Sequence, residues 1–95
     1  MKVLLNGTST VLADSNDTVV VEGNHYFPPS AVNKEFFTDS NSSTVCPWKG
    51  TASYYNASVD SNVVKDVAWY YPEPSEKAKN IKDYVAFYKN KVTFE

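Results

Sequence analysis

The chain has 95 residues, 42% of them hydrophobic and 15% aromatic, and carries nine lysines, no arginine and eleven acids for a formal charge of −2. A chain of this length buries roughly 60–65% of its unfolded surface in one modest core and has no room for a second domain. One cysteine and one histidine exclude an intramolecular disulfide and a cysteine-rich zinc site, and the absence of arginine removes bidentate reading of guanine and guanidinium clamps on phosphate, so neither a metal, a cofactor nor a nucleic-acid partner is expected.

Val3-Leu4-Leu5, Asn6-Gly7 and the stretch from Thr8 to Ala13 predict a hairpin about a type I′ turn. Asp14 to Asp17 is a turn cluster, and the β-branched run from Thr18 to Glu22 is a strand closed by Gly23-Asn24. His25-Tyr26-Phe27 is a short strand stopped by Pro28-Pro29, after which Ser30 caps a brief helix over Ala31 to Phe37. Thr38 to Thr44 reads as a polar loop that feeds the segment around Cys46. Residues 50–56 and 63–71 alternate as sheet strands with aromatic residues on both faces. Pro72-Glu73-Pro74 ends the second of them, Ser75 caps a short helix with Ala78 and Ile81 on its buried stripe, and Tyr84–Tyr88 with Lys91–Phe94 make a closing hairpin about Lys89-Asn90. The result is one mainly β domain over residues 1–95 with one or two short helices. Val3-Leu4-Leu5 is far shorter than the 7–15 apolar residues of a signal peptide, and no run approaches the ~20 of a membrane span, so a cytoplasmic location without a membrane partner is expected. Asn-x-Ser/Thr triplets at Asn6, Asn16, Asn41 and Asn56 then follow from a composition rich in Asn and Ser.

Cys46-Pro47-Trp48-Lys49-Gly50 is the most distinctive string, placing a thiol, a fixed backbone angle, a large ring, an amine and a flexible residue side by side. Two readings stand: Lys49 meets an anionic ligand while Gly50 lets it approach, or Trp48 is core, Lys49 solvated and Gly50 a bulge. Ideal strand spacing sends Cys46 and Lys49 to opposite faces, which favours an inert thiol, and His25 reads as a surface or half-buried residue. Glu22 and Asp66 are outward strand charges unless a pocket or a lysine such as Lys49 claims them. Tyr54, Trp69, Tyr70 and Tyr71 can stack on a ring or fill the core. There is no phosphate-binding glycine loop and no close pair of aspartates of the kind that holds magnesium.

Four strings in order, Tyr26-Phe27-Pro28, Thr44 to Gly50 with Tyr54, Ala68 to Pro74, and Val85 to Tyr88, resemble the family known as domain of unknown function 427, which also carries a nucleotidyltransferase label. The resemblance runs from about Val3 to Phe94 and implies a curled antiparallel β fold similar to the Mss4-like folds. Relatives of that fold hold zinc through paired cysteines, and the solitary Cys46 departs from them, so no metal site is carried over. The family pattern includes Glu22, Tyr26, Ser40, Thr44, Cys46, Lys49, Tyr54, Trp69 and Tyr71, of which Glu22, Cys46, Lys49, Tyr54, Trp69 and Tyr71 are expected to share a pocket. The expected activity is binding of a small anionic or aromatic, nucleotide-like metabolite by a monomer or weak homodimer, with or without catalysis. The alternatives are a protein-interaction module recruiting a partner strand near Pro47, and the transferase that the family label names.

Overall fold

The computed structural model describes all 95 residues. Its β-branched and aromatic runs form nine strands: β1 (Lys2–Leu5), β2 (Val11–Asp14), β3 (Val19–Val21), β4 (Asn24–Tyr26), β5 (Phe37–Cys46), β6 (Gly50–Val59), β7 (Asn62–Tyr70), β8 (Val85–Phe87) and β9 (Val92–Phe94). All pair antiparallel, in a sheet of order β5-β6-β7-β8, a sheet of order β2-β1-β9 and the hairpin β3-β4. No helix is long and apolar enough to cross a membrane.

Two buried clusters hold these sheets together. Val3, Leu5, Leu12 and Val92 of the three-stranded sheet meet Phe27, Ala57, Val85 and Phe87 in the first. Tyr26, Ala52, Tyr54, Tyr71, Ala78, Ile81 and Ala86 form the second, under β3-β4 and the 3₁₀ segment Glu76–Ile81. Period-two alternation along β8 divides the clusters, because Val85 and Phe87 serve one and Ala86 the other. Phe27 and Val85 exchange both backbone hydrogen bonds, at 2.8 and 2.9 Å, which fastens the base of the hairpin to the large sheet. Edge-on packing of Phe27 against Phe87, centroids 5.7 Å apart, adds roughly 0.5–1.5 kcal/mol to the burial of those rings.

Several sequence expectations are corrected. The stretch from Thr38 to Thr44 is strand rather than loop, since it forms most of β5 and pairs with β6 at the edge of the large sheet. No helix spans Ala31 to Phe37; two single 3₁₀ turns, Pro29–Ala31 and Lys34–Phe36, flank an extended Val32 that bridges to Ala13. The first hairpin turns over residues 6–10, with Gly7 at φ 76° inside a turn closed by the Thr8 amide on the Leu5 carbonyl. A type I′ turn would need Asn6 in the left-handed region as well, and it is not. The last two strands do not pair with each other, for β8 joins β7 and β9 joins β1. Ser75 caps nothing, and its role lies elsewhere.

Two irregularities interrupt the large sheet. Asp39 opposes Tyr55 and Ser43 opposes Ser53, so residues 40–42 of β5 face Tyr54 alone. On the other side of β6, Tyr55 opposes Ala68 and Ala57 opposes Val64, so residues 65–67 face Asn56 alone. Asp66, expected as an outward strand charge, sits in this second bulge at φ 53°.

Gly50 starts β6 at φ 115°, where an added Cβ would lie 3.3 Å from the Glu73 carbonyl oxygen, whereas a Cβ on Gly7 would meet nothing. Gly50→Ala is therefore expected to lower the unfolding free energy by about 1–3 kcal/mol and Gly7→Ala by less. Urea denaturation midpoints of the two variants check the ranking.

Candidate functional site

Cys46 pairs with Gly50, so Pro47, Trp48 and Lys49 form the turn between β5 and β6 and are not a strand. Proline has no N–H to leave unsatisfied there. Ser75 clasps the turn twice: its amide donates to the Lys49 carbonyl at 2.9 Å and its hydroxyl donates to the Trp48 carbonyl. Held this way, the turn sends Lys49 inward and Trp48 outward, the reverse of the reading in which Trp48 is core and Lys49 solvated. Lys49 is 6% exposed and Trp48 38%.

The Lys49 ammonium lies 4.9 Å from the centre of the Trp48 ring and 5.7 Å from that of Tyr71. Such contacts are worth roughly 0.5–2 kcal/mol each, too little to offset removing an ammonium from water. Its counter-ion is Glu22, whose carboxylate accepts a hydrogen bond from Nζ. Glu22 and Gly23 form the two-residue tip of β3-β4, both with positive φ (53° and 80°) as a type I′ turn requires. That position favours Asn, Asp or Gly. A glutamate is tolerated there because its longer side chain reaches the buried ammonium.

The environment acts on each ionisable group. The hydrogen bond from Lys49 holds the Glu22 carboxyl below its ordinary value, outweighing partial desolvation. Burial pulls Lys49 down, but the bond to Glu22 and the neighbouring phenols and thiol leave it above its ordinary value. Burial pushes Tyr71 up to about 12, against the opposing pull of the ammonium. Burial also raises Tyr26, whose hydroxyl accepts from the Trp69 indole N–H at 3.1 Å.

From this corner a wall of rings runs across the sheet. Trp69 meets Tyr26 edge-on with centroids 6.3 Å apart and Tyr88 at 4.7 Å, and Tyr88 stacks on Tyr54 at 6.3 Å. Tyr54 and Thr44 share a hydroxyl hydrogen bond of 2.8 Å across β5 and β6. The neighbouring Tyr54 hydroxyl, and then burial, push Tyr88 up to about 12.

Cys46 is half-buried beside the same cluster. Burial pushes its thiol up, yet the backbone N–H groups of Lys49 and Trp48, together with the Lys49 charge, more than reverse this, and the thiol lies below its ordinary value of 9.0. The expectation that strand spacing would separate Cys46 from Lys49 is overturned because a tight turn, not a straight strand, joins them. His25 is half-buried and bonded through Nδ1 to Thr18 at 2.7 Å.

Glu22, Cys46, Lys49, Tyr54, Trp69 and Tyr71 thus all lie in or around one aromatic cluster. They line neither of the molecule's cavities. The two cavities of the molecule lie elsewhere: one of about 280 Å³ between Pro29, Val32, Lys34, Tyr55, Asp83 and Val85, and one of about 170 Å³ at the two bulges. Sequence reasoning missed Ser75 as the clasp and Trp48 as the cover. A Glu-Gly pair standing where Asn-Gly is usual was the available sign that Glu22 is committed to a partner. No three His, Cys, Asp or Glu side chains converge as metal ligands.

The fold and this corner define a small mainly β domain built around a buried, singly paired cation. The chain belongs to the DUF427 family, described as a domain of unknown function, whose family model, named NTP_transf_9, matches residues 1–95. No curated protein matches the chain.

The pair is asymmetric, since the Lys49 side chain is 8% exposed and that of Glu22 55%. Losing Glu22 strands a buried charge, whereas losing Lys49 leaves a carboxylate in water. Glu22→Gln is therefore expected to lower the thermal midpoint at neutral pH, and Lys49→Met to leave it unchanged or raise it. A carboxyl whose value is depressed on folding stabilises above its unfolded value, here 4.5, and loses that contribution as pH falls through the folded value. The midpoints of wild type and Glu22→Gln should accordingly converge in acid, which melting curves across pH will show. Thiolate absorbance should also titrate at a lower pH for Cys46 than for a free cysteine, and Lys49→Met should move it back up.

Proposed function

We propose that this domain binds a small anionic metabolite bearing a flat ring, with Lys49 as the anchor for its charge and Glu22 as the counter-ion that it displaces. The observation that carries this reading is the Lys49 ammonium itself, buried between the Trp48 and Tyr71 rings with a single carboxylate to neutralise it. A buried ion pair is a weak source of stability, and a hydrophobic side chain of similar volume would serve the fold as well or better. Retaining a cation at such a place is useful if an anion exchanges there.

The construction of the hairpin supports exchange. Glu22 sits at the exposed tip of β3-β4, a separate two-stranded sheet whose tip is otherwise held by the Lys89 ammonium on the Gly23 carbonyl at 3.0 Å. The Glu22 side chain is 55% exposed, so its carboxylate can withdraw while Phe27 and Val85 stay paired at the hairpin's base. A ring entering beside the anion would meet Trp48 and Tyr71, and the half-buried Cys46 thiol would face the same space. Strand addition is the second reading, and one observation favours it: β5 is an edge strand on which Val45 is 77% exposed.

A thermal-shift panel of anionic metabolites, with and without rings, tests the proposal on wild type, Glu22→Gln and Lys49→Met. Wild type should be stabilised by ring-bearing anions, by about 2.7 kcal/mol at a hundredfold excess over the dissociation constant. Glu22→Gln should bind the same compounds more tightly because the internal competitor is gone, and Lys49→Met should lose them. The same hits for Lys49→Met and wild type would overturn it, as would a panel that shifts no variant.

A further inference from the structure

The two bulges described above flank β6 on either side, and between them open a cavity of about 170 Å³ lined by Ser40, Asn41, Ser42, Asn56, Lys65 and Asp66. Every one of these side chains is polar. We infer that this cavity is a binding site for a neutral polyhydroxylated ligand, a single sugar ring or a polyol, held by its hydroxyls between the Asp66 carboxylate and the surrounding serine and asparagine side chains. This site is separate from Lys49 and independent of the function proposed there.

The site is built rather than incidental. Asp66 is held in the left-handed region at φ 53°, and its amide donates to the Asn56 side-chain oxygen at 3.0 Å. From behind, the Lys91 ammonium donates to the carbonyls of Lys65 at 2.8 Å and Asp66 at 3.3 Å, fixing the bulge backbone. Ser40 donates to one oxygen of the Asp66 carboxylate and Ser42 to the other at 2.8 Å, while the Ser42 amide donates to Ser40 Oγ at 3.0 Å. Strained backbone and bulges that re-aim side chains concentrate at functional positions, and here two bulges serve one cavity. The serine hydrogen bonds keep the Asp66 carboxyl below its ordinary value, and hence ionised at neutral pH.

Charge and size select the ligand class. A cation or amine would meet one carboxylate in a cavity that Lys65 also lines, which is poor coordination for a metal and a repulsive setting for an amine. An anion would meet the fixed charge of Asp66. A hydroxyl both donates and accepts, so vicinal hydroxyls can use the carboxylate lone pairs that the serines leave free, along with the amides of Asn41 and Asn56. At about 170 Å³ the cavity suits a ligand the size of a single ring. Such hydrogen bonds replace equivalent ones to water, so binding is weak, with a dissociation constant in the range of about 1–10 mM expected.

Amide-resolved NMR titration with D-ribose, D-glucose and myo-inositol tests this on the full chain. The expected result is a saturable shift of the amides of residues 40–42, 56 and 65–66 with at least one probe, weakened tenfold or more in Asp66→Asn. Asparagine tolerates a left-handed backbone, so that variant keeps the bulge. Ser42→Ala supplies a second reading, since Ser42 orients one oxygen of the carboxylate, and loss of that fixed orientation too should weaken binding. The inference is overturned by the absence of saturable shifts with every probe, by shifts that are the same in both variants as in wild type, or by a stronger response of these amides to phosphate or ethanolamine.

Discussion

A lysine side chain only 8% exposed is the constraint around which one side of this molecule is arranged. Such a charge is tolerated only with a counter-charge and a polarisable lining. The lining is Trp48 and Tyr71, and the counter-charge is Glu22. Each demands something from the chain that its local sequence would not choose. Glu22 occupies a left-handed turn position better suited to asparagine, Gly50 adopts a backbone angle that a side chain would oppose, and Ser75 leaves the start of a 3₁₀ helix uncapped to hold two turn carbonyls. Local compromises of this kind, converging on one group, are the pattern expected where a fold accommodates something besides its own stability.

The two buried clusters divide the work. The first is mainly aliphatic with phenylalanine, and its members close the gap between the three-stranded and the four-stranded sheets. The second is dominated by tyrosine, with tryptophan beside it, and two hydrogen bonds join their polar tips to partners: Trp69 with Tyr26, and Tyr54 with Thr44. No buried side-chain nitrogen or oxygen lacks a partner. Tyrosine suits such a cluster because it supplies apolar area at one end and a hydroxyl at the other, so one layer can be both core and polar surface.

Much of the fold was legible in the sequence. Alternation across 50–56 and 63–71 located β6 and β7, and Ala78 with Ile81 gave the buried stripe of the last 3₁₀ segment. The failures have a common cause in non-local pairing. Residues 38–44 have the composition of a loop, and they are strand only because β6 supplies a ladder. Val85-Ala86-Phe87 looks like half of a local hairpin, but all three side chains are buried, and only a place beside β7, between both clusters, achieves that. At the site, the family resemblance grouped Glu22, Cys46, Lys49, Tyr54, Trp69 and Tyr71 in a shared pocket, whereas these side chains line neither cavity of the molecule. What it left open was which way a turn of three residues points its side chains. Hydropathy favours Trp48 inside, whereas the double clasp from Ser75 places Lys49 there.

Both tryptophans stand on the same side of the molecule, Trp48 over the buried ammonium and Trp69 between Tyr26 and Tyr88. The other cluster contains none. Intrinsic fluorescence excited at the red edge of the protein band is consequently a local signal, blind to the aliphatic half. Energy absorbed by the nearby tyrosines drains to Trp69, and the charge next to Trp48 tunes its emission. The molecule carries its own label, and events at the Lys49 corner can be followed optically in the unmodified chain.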